Sequence, residues 1–133
     1  MAIRNIVKEG DELLRKKSKP VVDFDKNLHM LLDDMIETIS KYDNIMPYIH
    51  LPLQSGSTKI LKLMGRKGSF DSYILLVKKL KEQISGIAIR STFITGFSGE
   101  TEESFERLCE FLKQARLFNA GFFKYSREEG TPS

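Results

Sequence analysis

The sequence predicts an α/β protein built on about three parallel strands joined by helical crossovers. Three observations carry that expectation. Apolar, strand-like runs at 47–51, 87–95 and 120–125 alternate with stripes of helical period. The run Ile87 to Thr95 is largely apolar and β-branched on both faces. Ile87, Ile89, Ser91 and Phe93 point one way; Ala88, Arg90, Thr92 and Ile94 point the other. That pattern suits a strand covered on two sides in a parallel sheet. Finally, Gly96-Phe97-Ser98-Gly99 leads directly to Thr101, Glu102 and Glu103, a helix cap with acid in the first turn. Apolar strands linked by helices require parallel order and right-handed connections.

Taken in order, Ile3 to Val7 is a short extended run, and Gly10-Asp11 opens a helical turn through Leu13 and Leu14. The basic run Arg15 to Lys19 before Pro20 reads as a solvated turn. Asp23 or Asp25 can cap the next helix. Leu28, Leu31, Leu32, Met35, Ile36 and Ile39 form one apolar stripe on a helix over 25–41. His29 flanks that stripe with no second His or Cys near it. Pro47 to Leu51 is the next strand, and Ser55 or Ser57 can cap a helix holding Ile60, Leu61 and Met64. After Gly65-Arg66-Lys67-Gly68, Ser69 can cap a helix with Phe70, Tyr73, Ile74, Val77, Leu80 and Ile84 on one side. Beyond the 87–95 strand, the helix from Glu102 is expected to turn Phe105, Leu108, Cys109, Leu112 and Ala115 inward. Residues 120–125 form the last strand, and 126–133 a polar tail.

The 133 residues are enough for one domain, or one and a piece, with 41% apolar residues for a core and 29% charged for a surface. A net charge of +3 is too small to argue nucleic-acid binding by itself, and nothing points to DNA. No apolar run approaches the roughly 18 residues of a membrane span, and the N-terminus lacks an apolar signal region. A cytoplasmic chain is the expectation. Cys109 is the single cysteine, so no internal disulfide can form.

Three ordered motifs resemble the radical-SAM methylthiotransferases, over about residues 46–133. IAIRSTFITGFSGETEESF resembles the family's fifth strand and following loop. Tyr48 to Ser57, YIHLPLQSGS, resembles its H-x-P-x-Q-S-G-S strand end. Tyr125 to Pro132, YSREEGTP, resembles its Y-S-x-E-E-G-T-P segment. Ser98 stands where the family usually has proline. The resemblance implies a partial radical-SAM βα-barrel, with ligand groups at the C-terminal ends of the strands. It also implies that Gln54, Ser55, Arg90, Ile94, Gly96, Gly99 and Glu100 line an S-adenosylmethionine pocket. Arg90 would meet the methionine carboxylate or the ribose, and Ile94 the adenine. Simpler roles stand beside these: a salt bridge from Arg90 to Glu100 or to a neighbouring helix, and helix capping by Gln54 and Ser55.

Residues 1–41, MAIRNIVKEGDELLRKKSKPVVDFDKNLHMLLDDMIETI and onward, resemble the start of a bacterial peptide deformylase. None of that family's metal motifs follows. Its metal takes two His and one Cys, whereas His29, His50 and Cys109 stand in unrelated contexts. The chain therefore divides into a deformylase-like segment at 1–44, carrying a short strand and a long amphipathic helix, and a partial methylthiotransferase core at 45–133. No Pro/Gly/Ser-rich linker marks the join at 42–46, so the chain reads as a chimera of natural or engineered origin.

The methylthiotransferase family uses S-adenosylmethionine and a [4Fe–4S] cluster held by three cysteines. One cysteine cannot hold it. The expectation is a fragment with no catalytic or metal-binding residue of its own and no tightly bound cofactor. The alternatives are a residual S-adenosylmethionine-binding module, or an enzyme whose cluster is supplied in trans. Family substrates are a small-subunit ribosomal protein or tRNA. Open strand edges also favour a homodimer.

Overall fold

A computed structural model describes residues 7–17 and 26–127. The expectations for 3–6, the turn at Pro20, the caps at Asp23 or Asp25, the side chain of Leu28 and the tail from 128 lie outside the described residues.

Asp11 caps a 3-10 turn over Glu12–Arg15, its carboxylate accepting from the Leu13 N–H. The main body runs α1 (Lys26–Lys41), β1 (Tyr48–His50), α2 (Thr58–Leu63), α3 (Phe70–Gln83), β2 (Ala88–Thr95), α4 (Glu102–Ala115) and β3 (Asn119–Lys124). The strands form one parallel sheet in the order β1-β2-β3. The α/β class, the parallel order and the element sequence thus agree with the reading of the chain. Among the described residues no helix is long and apolar enough to cross a membrane.

Local chemistry sets the helix starts. Ser69 and Ser72 form a reciprocal capping box at α3, each side chain accepting from the other's backbone N–H. Thr101 Oγ1 accepts from the Ser104 N–H at α4. At the far end of α4, Arg116 takes a left-handed conformation, φ 44°, and the Lys81 ammonium donates to the carbonyls of Ala115 and Arg116 at 2.9 and 2.8 Å. A cation there satisfies orphan carbonyls and opposes the negative end of the dipole.

The core lies on one side of the sheet. Ile89 and Phe93 of β2 pack against Ile74, Val77 and Leu80 of α3 and Leu108, Phe111 and Ala115 of α4. Phe111 is the hub, with its ring edge-on to both Phe70 and Phe93 at centroid distances of 5.7 and 6.1 Å. A methyl group at Gly56 would fall 2.6 Å from Phe111 Cβ, so only glycine lets that loop approach α4.

Three expectations are corrected. β2 is not covered on both faces: Ile89, Ser91 and Phe93 are buried, but Arg90 is exposed and Thr92 and Ile94 are half-exposed. The sequential strand order explains this. When the chain crosses a sheet without reversing and every crossover has the same hand, all the helices fall on one face, as in a barrel wall. Second, α4 is rotated from the expected phase. Ser104, Leu108, Phe111 and Ala115 are buried, while Phe105 is exposed and Cys109 and Leu112 are only half-buried. Third, the described residues of the α1 stripe dock only in part. Ile36 and Ile39 reach the core, whereas Leu32 and Met35 stay exposed. An exposed Lys79–Asp33 pair, 3.6 Å, ties α1 to α3.

Candidate functional site

The chain does not leave the sheet after His50. Leu51 donates to the Arg90 carbonyl at 2.8 Å, and Gln54 donates to the Thr92 carbonyl at 2.9 Å. In return the Ile94 N–H donates to the Gln54 carbonyl at 2.9 Å. Gln54 sits there at φ 71°, a left-handed conformation uncommon outside glycine. That twist lets one isolated bridge to β2 form before the chain turns into α2. Gln54 and Ile94 are thereby brought together at the C-terminal end of the sheet.

Ser55 is fully buried, and its hydroxyl oxygen accepts from the Ser57 N–H at 3.1 Å. That local bond organises the turn. Ser57 is the N-cap of α2 by position, without a side-chain cap bond. Thr58 supplies a further tie, its Oγ1 accepting from the Phe70 N–H at 3.0 Å, so α2 and α3 begin side by side.

The loop after β2 is held by its own carboxylate. Gly96 and Gly99 take φ 77° and 83°, and the Glu100 N–H donates to the Phe97 carbonyl at 2.8 Å, closing a turn. Glu100 Oε2 accepts from the Gly96 N–H at 2.5 Å. Its other oxygen, Oε1, is buried without a partner among the described residues. Phe97 is buried beneath the loop and meets the Tyr125 ring edge-on at 5.0 Å. Tyr125 prolongs β3, its N–H donating to the Thr95 carbonyl at 2.8 Å, and its hydroxyl is likewise buried without a partner among the described residues. A carboxylate oxygen and a phenol thus end up unsatisfied at the C-terminal ends of adjacent strands. Leaving such groups unmet costs about 1–3 kcal/mol each.

Arg90 is not part of this end. It is the third residue of β2, about 20 Å along the strand from Gly96 at the usual rise per residue. It therefore does not gather with the 96–100 loop, and the alternative salt bridge to Glu100 is not formed, because Glu100 turns back to Gly96. Arg90 instead stands in a row across the open face, between His50 of β1 and Asn119 of β3. Of the seven residues expected in a pocket, the structure brings together Gln54 and Ile94, and separately Gly96, Gly99 and Glu100. Ser55 lies adjacent but inward, and Arg90 lies apart.

Sequence reasoning left out the pairing of Tyr125 with Phe97, and Phe123, which stands beside Ile94 in register on the open face. The signal for Tyr125 was its motif position; the register between strands left no trace in the sequence. A groove of about 470 Å³ at the starts of α2, α3 and α4, lined by Lys59, Asp71, Arg107 and Glu110 among others, holds none of the seven. Among the described residues no group of three or more His, Cys, Asp or Glu is placed to hold a metal ion.

Comparison with known proteins adds a family. Residues 3–112 match the model of the Radical SAM superfamily. The ribosomal protein uS12 methylthiotransferase RimO of Pelotomaculum thermopropionicum is 46% identical over 102 residues, covering 77% of this chain and 23% of that protein. The same-named protein of Symbiobacterium thermophilum is 45% identical over 101 residues, 76% of this chain and 21% of its own length. That of Escherichia coli O139:H28 is 48% identical over 99 residues, 74% and 22%. The chain spans less than a quarter of the length of these curated relatives.

Proposed function

The chain belongs to the radical SAM superfamily, and from that premise we propose that it is part of a methylthiotransferase core whose strand ends take up S-adenosylmethionine. The observation that carries this reading is the pair of unsatisfied groups, Glu100 Oε1 and the Tyr125 hydroxyl, at the ends of adjacent parallel strands. One is an acceptor and the other a donor, which suits a ligand rich in hydroxyls and amines. Ile94 and Phe123, side by side on the open face, offer an apolar floor for a flat ring. Gln54, Gly96 and Gly99 shape the backbone around it. Arg90 fits the ligand only through a part that reaches down the open face.

The iron–sulfur group does not fit these residues. The 133 residues hold one cysteine, Cys109, half-buried on α4 in the helical layer. A four-iron cluster takes three thiolates, so its ligands would come from outside these residues, and no reaction step is derived through it. By themselves the 133 residues form a non-catalytic unit. The relatives are named for ribosomal protein uS12, and a small-subunit ribosomal protein is therefore the proposed target of a complete core, ahead of tRNA.

We further propose the boundary near residue 44 and a deformylase-like origin for 1–41, on the wording of that segment. The superfamily match begins at residue 3 and so runs through it. The helical part, α1, acts as a cover packed on α3 through Ile36 and Ile39. No formyl-peptide cleavage is expected with added iron, nickel or zinc; turnover copurifying with the chain would overturn this.

Titration of the whole chain with S-adenosylmethionine, followed by amide NMR, tests the main reading. Shifts should concentrate at Ile94 to Glu100 and at Tyr125, with weak affinity. No shift at millimolar ligand, or shifts confined to α1, would sink it. Anaerobic reconstitution in parallel should leave no iron bound through gel filtration. Stoichiometric retained iron would favour the second reading, an enzyme assembled from more than one chain.

A further inference from the structure

The two edges of the sheet differ in kind. β1 has three residues and lies between Pro47 and Pro52, so shortness and missing N–H groups blunt that edge. β3 has six residues, no proline, and one charge, Lys124, at its end. Among the described residues it pairs with β2 on one side and with nothing on the other. Its apolar side chains nevertheless lie on both faces. Phe122 stacks on Phe93 on the helix side, with rings 5.7 Å apart and 27° from parallel, yet is 51% exposed. Phe123, on the open face, is 61% exposed, and Phe118, just before the strand, 75%. A strand apolar on both faces has the composition of a central strand but stands here at an edge.

We propose that the outer edge of β3 is a self-association surface, where a second copy of this chain adds its own β3 antiparallel to make a continuous six-stranded sheet. Side-chain complementarity argues for this occupant. An antiparallel pair centred on Phe122 sets Phe122 against its symmetry mate. Phe123 falls opposite Gly121 of the other copy, where a ring covers a residue without a side chain. Lys124 falls opposite Ala120, and Asn119 opposite Tyr125, so no like charges meet. A parallel pair would set Lys124 against Lys124 and leave the assembly open-ended, whereas the antiparallel pair closes on a two-fold axis.

The size of the surface sets the strength. The three phenylalanines offer roughly 350 Å² of exposed ring surface per copy. Edge pairing covers only part of that ring surface, so even with the backbone edges the total stays below the roughly 1,200 Å² of a standard interface. A contact of that size suits a weak, concentration-dependent dimer.

Sedimentation equilibrium of the whole chain, from low to several hundred micromolar, should show a shift toward twice the 15.3 kDa chain mass. Phe123→Lys removes an exposed ring and should leave the circular dichroism unchanged while returning the chain to monomer. In a Cys109→Ser background Phe122→Cys should cross-link to its own copy on mild oxidation, whereas Lys124→Cys, which only a parallel pair would set against itself, should not. A monomer at every concentration would overturn the proposal, and slow amide exchange along β3 in that monomer would show another segment of the chain covering the edge. A dimer indifferent to Phe123→Lys, or one whose Phe122→Cys variant does not cross-link, would equally overturn it.

Discussion

Glu100 shows how one side chain sets a loop. Two glycines at positive φ would leave the 96–99 turn loosely determined, because glycine has the most conformational freedom to lose. The carboxylate removes that freedom by accepting from the Gly96 N–H, four residues back. Glu100→Ala should therefore destabilise the chain by about 1–2 kcal/mol and speed amide exchange at Gly96. Glu100→Gln keeps an acceptor and should lose less. Equal losses in the two variants, read from denaturant midpoints, would show that the bond to Gly96 contributes little.

At the scale of the element, α4 separates pattern from packing. Phe105 and Phe111 are both aromatic on an amphipathic helix, and its apolar residues admit more than one choice of inward face. The structure buries Phe111 fully and leaves Phe105 41% exposed. Phe111→Ala should cost about 3–5 kcal/mol, since it empties the contacts to Phe70 and Phe93. Phe105→Ala should stay within about 1 kcal/mol. Thermal melts of the two variants decide the phase of α4, and similar losses would place the helix rotated from the structure described.

For the whole molecule, the outstanding feature is surface that the fold leaves uncovered. Among the described residues the sheet is covered on one face, and α1 meets the core cluster through Ile36 and Ile39. The exposed Leu32 and Met35 then contribute little to stability. A Leu32→Glu, Met35→Glu double variant should melt within about 0.5 kcal/mol of the parent per site and be more soluble. Ile36→Glu, in contrast, should lower the melting temperature clearly, because it puts a charge where α1 meets the core. Loss of folding in the first variant would mean that the Leu32 and Met35 side of α1 is docked after all.

Much of the architecture was legible in the chain. Strand and helix periods at 47–51, 70–84, 87–95 and 120–125 need only neighbours in sequence to be recognised, and so do the caps at Ser69 and Thr101. The positive φ of Gly96 and Gly99 was legible for the same reason, whereas the bond from Glu100 back to Gly96 was not read. What the sequence left open were relations between distant segments. It could show that β2 had two apolar-leaning faces, but not that only one would be covered, because that follows from strand order and the hand of the crossovers. It placed Arg90 with the loop six residues on, but an extended strand carries those two groups about 20 Å apart. It marked Tyr125 by motif, but not that its hydroxyl and Glu100 Oε1 would be left unmet together, since that depends on two strand ends meeting in space. Periodicity is a local quantity and burial is not: a side chain's surroundings are decided by which elements the tertiary fold brings against it.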